Sequence, residues 1–130
     1  IQANIGDLEK VASETGYGEA PNTVVNRYLR MTEQAGTRPE VQAALWPETA
    51  YPSTFLKPFN LAEQRRGDSI VELSKRLGLP IWLGGYDRDG AKDYNAVFFL
   101  DPAREVSQEF PKVYRKSVLL PFAEYIPGAE

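Results

Sequence analysis

Two segments of this chain place groups capable of acid–base and electrostatic chemistry beside apolar stretches. The first is Trp46-Pro47-Glu48-Thr49-Ala50. Glu48 follows a compact apolar run, Val41 to Trp46, that reads as a buried strand. A carboxylate just past the end of such a strand sits where α/β proteins keep their sites. Partial burial beside Trp46 would make it a better base near neutral pH. The plainer reading is a solvated acid at a strand end. The second segment runs from Tyr114-Arg115-Lys116 to Leu119-Leu120-Pro121-Phe122-Ala123-Glu124. Here a lysine can stabilise an oxyanion while a nearby carboxylate holds its ammonium. The competing reading is two surface charges around a buried apolar plug. Asn95, in Tyr94-Asn95-Ala96, is a polar residue in an apolar strand, and satisfying backbone groups near a hairpin is its favoured role.

What is missing narrows the chemistry. The 130 residues include no cysteine and no histidine. Disulfides, thiolate nucleophiles, sulfur-ligated metals, imidazole bases and Ser-His-Asp triads therefore have no residues to build them. Gly84-Gly85 lacks the flanking pattern of a phosphate-binding loop. A net charge of -3 and an isoelectric point near 5.1 argue against a general nucleic-acid binder. Mean hydropathy is -0.41, and no apolar run approaches the ~18–20 residues that cross a bilayer. With 42% apolar and 12% aromatic residues the chain has the material for a core.

The elements that must hold these residues follow from the hydrophobic pattern. Ile1 to Ile5 reads as an opening strand, and residues 6–21 as a loop rich in glycine. Asn22 is a candidate helix cap ahead of Val24, Val25, Tyr28 and Leu29, with Gly36 as the stop. Residues 47–60 carry Pro47, Pro52 and Pro58 and read as irregular. Asn60 with Glu63 forms a capping box for a helix whose apolar face is Ile70, Leu73 and Leu77, ended by Gly78 and Pro80. Ile81 to Tyr86 is a strand, Asp87 to Asp93 a hairpin loop, and Tyr94 to Leu100 and Val106 to Phe110 two further strands. Val113 to Leu120 is extended. This order, β-α-β-α-β-β-β, predicts an α/β fold with a mixed sheet and helices on one face. The other face is left apolar and uncovered, which predicts self-association or packing against another chain.

Taken together, these motifs resemble the nitrilase (carbon-nitrogen hydrolase) superfamily. Within it they most resemble the extracytoplasmic domain of the apolipoprotein N-acyltransferase family. The resemblance rests on Gln2-Ala3-Asn4-Ile5, Arg27-Tyr28-Leu29, Trp46-Pro47-Glu48-Thr49-Ala50-Tyr51-Pro52, Gly84-Gly85-Tyr86, Tyr94-Asn95-Ala96 and Tyr114-Arg115-Lys116. It continues through Leu120-Pro121-Phe122-Ala123-Glu124-Tyr125-Ile126-Pro127. It implies an αββα sandwich and a Glu-Lys-Cys triad. Glu48 matches the general base, Lys116 the oxyanion-stabilising lysine, and Glu124 a second acid that helps to place the reacting groups. The cysteine has no counterpart here, so residues 1–130 are expected to be the N-terminal part of a catalytic domain, incomplete at the C-terminus and inactive alone. Gly6, Ser117 and Ala123 depart from the family's usual Pro, His and Gly.

The implied reaction moves an acyl chain from a phospholipid to the N-terminal amine of a lipoprotein, with no cofactor and no metal. The implied location is the extracytoplasmic (periplasmic) side of the bacterial inner membrane. Two alternatives stay open: a soluble nitrilase-type amidase, and a non-catalytic binding domain without the cysteine.

Overall fold

A computed structural model describes residues 1, 3, 5, 20–107 and 110–118. Among these residues the chain forms two helices and a four-stranded sheet. They are α1 (Ala20–Gly36), β1 (Ala44–Leu45), α2 (Leu61–Leu77), β2 (Ile81–Asp89), β3 (Lys92–Leu100) and β4 (Lys112–Arg115). The sheet order is β1-β2-β3-β4, parallel between β1 and β2 and antiparallel between the other neighbours. This is the mixed α/β architecture that the hydrophobic pattern predicts.

The two helices lie over one face of the sheet. Val24, Val25 and Tyr28 of α1 and Ile70 of α2 share a core with Ile81 and Leu83 of β2 and Ala96, Phe98 and Leu100 of β3. Register explains the selection. Ile81 pairs with Leu100 and Leu83 with Phe98, so these side chains emerge on the same, inner face. Trp82, Gly84, Tyr86, Asn95, Val97 and Phe99 fall on the outer face. There Trp82 and Phe99 bring their rings to 4.4 Å, and Val97 and Tyr114 remain exposed. The predicted apolar outer face is present.

Local chemistry sets the ends of the elements. The capping box of α2 forms as expected. Asn60 Oδ1 accepts from the Glu63 N–H at 3.0 Å, and Gly78 closes the helix with φ at 60°. Helix α1 differs. It begins at Ala20, before Asn22, because Pro21 needs no N–H partner in a first turn. The Asn22 side chain accepts from Arg66 Nη1 at 2.9 Å, which ties α1 to α2.

The strands also differ from their expected bounds. The Val41–Trp46 run yields only Ala44–Leu45 as strand, since Pro47 ends the ladder. Beyond it, the chain follows β2 irregularly through Tyr51 N to Gly84 O (2.9 Å) and Phe55 N to Tyr86 O (3.2 Å). The expected loop from Asp87 to Asp93 is instead strand on both sides, and Asp89 pairs directly with Lys92 across Gly90-Ala91. Gly90 has φ at 59°, the left-handed value such tight hairpins require. Val106–Phe110 is not a strand among the described residues; a single bridge joins Ser107 to Phe110. In the opening segment Ile1, Ala3 and Ile5 are described and are not strand. The extended stretch after Val113 is strand as far as Arg115, and Leu119 and Leu120 lie outside the described residues.

At the hairpin, Arg88 donates to both oxygens of Asp93, from Nε at 2.6 Å and Nη2 at 2.7 Å. Those hydrogen bonds, reinforced by the guanidinium charge, hold the Asp93 carboxyl below its ordinary range. A depressed native value means that this contribution is complete above the unfolded carboxylate range, about pH 4. It is lost as pH falls through the native value. Urea midpoints should therefore drop more for the native sequence than for Asp93→Asn between about pH 5 and pH 2. Parallel curves would show that the pair contributes nothing.

Candidate active site

The sheet's outer face carries the site. Its foundation is the turn Pro47-Glu48-Thr49-Ala50, closed by the Ala50 N–H donating to Pro47 O at 3.2 Å. Both flanks of this turn are hydrogen-bonded to β2. Trp46 N donates to Trp82 O at 2.8 Å, and Tyr51 N to Gly84 O at 2.9 Å. Thr49 has φ at 53°, a left-handed value that β-branched residues avoid.

Trp46 sets the inner wall of this region. Its ring stacks on Tyr28 at 5.1 Å, and its indole N–H donates to the buried Thr32 hydroxyl at 2.8 Å. A helix α1 side chain thus fixes the rotamer of the residue from which the turn departs. On the opposite side, β3 contributes Asn95 and Val97 and β4 contributes Tyr114. Lys116 follows β4 directly, with its backbone N–H on Asn95 O at 2.8 Å.

The edge strand β4 is short, and a charged clamp on the inner face steadies it. Arg115 donates to Asp87 Oδ2 at 2.7 Å and to Asp89 Oδ2 at 3.1 Å, and lies 4.6 Å over the Tyr94 ring. Its hydrogen bonds to the two carboxylates raise the guanidinium's pKa further above its already high value. Because neighbouring side chains alternate faces, Arg115 gripping inward directs Lys116 outward.

The outcome is a cavity of about 230 Å³ lined by Trp46, Glu48, Gly84, Asn95, Tyr114 and Lys116, among others. Asn95 Nδ2 donates to Glu48 Oε1, and Lys116 Nζ lies 3.6 Å from the same oxygen. Glu48 and Lys116, separated by most of the chain, converge. The burial expected of Glu48 is not found: its side chain is 57% exposed, against 31% for Lys116. Glu124 lies outside the described residues. A larger hollow of about 410 Å³, between the start of α2 and Val106, includes Asp68 and Glu105. Its Glu105 is engaged by Lys75 at 2.6 Å, so it does not assemble a comparable acid–amide–ammonium group.

Such an arrangement can take a proton onto Glu48 and stabilise negative charge at Lys116 within a few ångströms. Among the described residues that line the cavity there is no cysteine, serine or threonine. Asn95, favoured in the sequence as a backbone-satisfying residue, is instead bonded through its side chain to Glu48. The signal for it was a polar residue in the middle of an apolar strand. Gly84 lies directly under the Glu48 turn, a placement that the motif reading of Gly84-Gly85 does not anticipate. A glycine inside a strand, where another backbone often approaches, was the available sign.

The Trp46–Thr32 bond is open to a direct test. Thr32→Val keeps the shape but leaves a buried indole N–H without a partner, which should cost about 1–3 kcal/mol in urea unfolding. A loss below roughly 0.5 kcal/mol would show that Trp46 is held by packing alone.

No family model matches the chain. Comparison with curated proteins finds relatives along its length. It is 32% identical over 140 aligned positions to the apolipoprotein N-acyltransferase of Bdellovibrio bacteriovorus, an alignment covering 100% of this chain and 24% of that protein. It is 40% identical over 83 positions to that of Aquifex aeolicus, covering 62% of this chain and 16% of the relative. It is 28% identical over 127 positions to that of Thermosynechococcus vestitus, covering 98% and 22% respectively. The chain thus spans about a quarter or less of the length of these relatives. Homologous over its whole length to one segment of them, the chain belongs to the apolipoprotein N-acyltransferase family.

Proposed function

We propose that this chain is the N-terminal part of a nitrilase-type catalytic domain in an acyltransferase of the bacterial inner membrane, facing its extracytoplasmic side. The whole protein transfers an acyl chain from a phospholipid to the N-terminal amine of a lipoprotein. Glu48 is its general base, Lys116 stabilises the oxyanion, and Glu124 helps to place the reacting groups. The nucleophile is a cysteine that these residues do not include, so the chain alone is inactive. The apolar outer face of the sheet is where the remainder of the domain, or a second copy of the chain, would pack.

In the first half-reaction Glu48 takes the thiol proton, and the sulfur attacks the ester carbonyl carbon. Negative charge collects on the carbonyl oxygen beside the Lys116 ammonium. Collapse breaks the carbon–oxygen bond. The departing lysophospholipid oxygen takes the proton back from Glu48, leaving a thioester. In the second half the lipoprotein's free amine attacks the thioester carbonyl and gives its proton to Glu48. The carbon–sulfur bond breaks, an amide forms and the sulfur regains a proton. Asn95, as donor to Glu48 Oε1, orients the carboxylate in both halves.

The observation that carries this reading is the shared contact of Asn95 and Lys116 with one oxygen of Glu48, in a chain related throughout to named N-acyltransferases. In the full-length protein, Glu48→Gln and Lys116→Ala should each lower release of lysophospholipid by at least ~100-fold while leaving the unfolding transition in place. Turnover within a few-fold of the native enzyme in either variant would overturn the role given to that residue.

A further inference from the structure

The Glu48 turn is pressed onto the outer face of β2 at a single point. A Cβ built on Gly84 would come within 2.5 Å of Pro47 O, 2.7 Å of Glu48 Cα and 2.9 Å of Thr49 N. All three are backbone atoms of the turn, so no side-chain rotation can relieve the overlap. The turn also carries costs of its own. Thr49 is held at φ of 53°, and its Oγ1 is buried with no hydrogen-bond partner. Strain of this kind persists where the surroundings over-determine it. Here the over-determination is visible: both flanks are hydrogen-bonded to β2, and the strand surface between them is bare.

We propose that Gly84 is a positioning residue, whose missing side chain seats the Pro47–Ala50 turn and thereby aims the Glu48 carboxylate at Asn95 and Lys116. The inference rests on the assignment of Glu48 as the base. Because the seat includes Glu48 Cα itself, any lift of the turn passes directly to the carboxylate. Misplacement of a reacting group by ~1 Å can cost about 100-fold in rate. Gly85, the next residue, provides the contrast. It faces inward, and a Cβ there would meet Tyr51 O at 3.2 Å and Tyr51 Cβ at 3.3 Å, contacts that shifts of tenths of an ångström relieve.

The test uses three variants of the full-length acyltransferase, assayed for acyl transfer from phospholipid to a lipoprotein N-terminus. Gly84→Ala is expected to lower kcat by about 10–100-fold with KM for phospholipid within about threefold, in a protein that still unfolds cooperatively. Gly85→Ala is expected to keep kcat within about twofold, whatever it loses in stability. Glu48→Gln should be inactive. Native kcat in Gly84→Ala beside an inactive Glu48→Gln overturns the seating role alone. An active Glu48→Gln removes the base assignment and this inference with it. Should Gly84→Ala not accumulate, Thr49→Gly is added to free the turn to rise. Recovered folding with kcat still well below native supports the seating role, and recovered native kcat overturns it.

Discussion

The absence of one side chain, at Gly84, sets the geometry on which the rest of the site depends. It lets a four-residue turn lie flat against the middle of β2, with the Glu48 Cα only as far from the strand as two backbones can approach. From that height the carboxylate reaches both Asn95 and Lys116. A methyl group at 84 would wedge the turn upward. The three polar groups come from three separate stretches of chain, so they meet only while that spacing holds.

Each of the other groups is held by its own device. Trp46 is fixed by Thr32 and by stacking on Tyr28, which sets where the turn begins. Asn95 belongs to β3, whose register with β2 is continuous from Ile81–Leu100 to Asp89–Lys92. A slip of one residue would turn its side chain into the core. Lys116 inherits its direction from Arg115, anchored on the opposite face by Asp87 and Asp89. Helices on the inner face and polar chemistry on the outer face are consequences of the same period-two alternation.

Much of this was legible in the chain, for physical reasons that can be named. The second helix announced itself because Asn60, Glu63 and Gly78 are local signals acting over three or four residues. Glu48 and Lys116 were singled out by residue type and by their apolar neighbours, and their motifs carried the family resemblance. Strand ends were less legible. Asp87 looks like a loop residue, yet a partner from a distant strand keeps it on a ladder. Asn22 looks like a cap, yet the helix starts earlier because Pro21 suits a first turn. The Asn95–Glu48 bond and the clearance over Gly84 are tertiary facts. A polar residue and a glycine inside apolar strands mark the two positions, but the partner depends on which backbone crosses above which strand.

The convergence of Glu48 and Lys116 can be measured without replacing either residue. A water-soluble carbodiimide activates carboxylates and joins them to amines that lie in contact, forming an amide with loss of water and no spacer. Applied to the folded protein, followed by proteolysis and mass spectrometry, it should yield a peptide pair joined through Glu48 and Lys116, and the pair should vanish on prior denaturation. Coupling of Glu48 to other lysines with none to Lys116 would contradict the shared pocket and the account built on it.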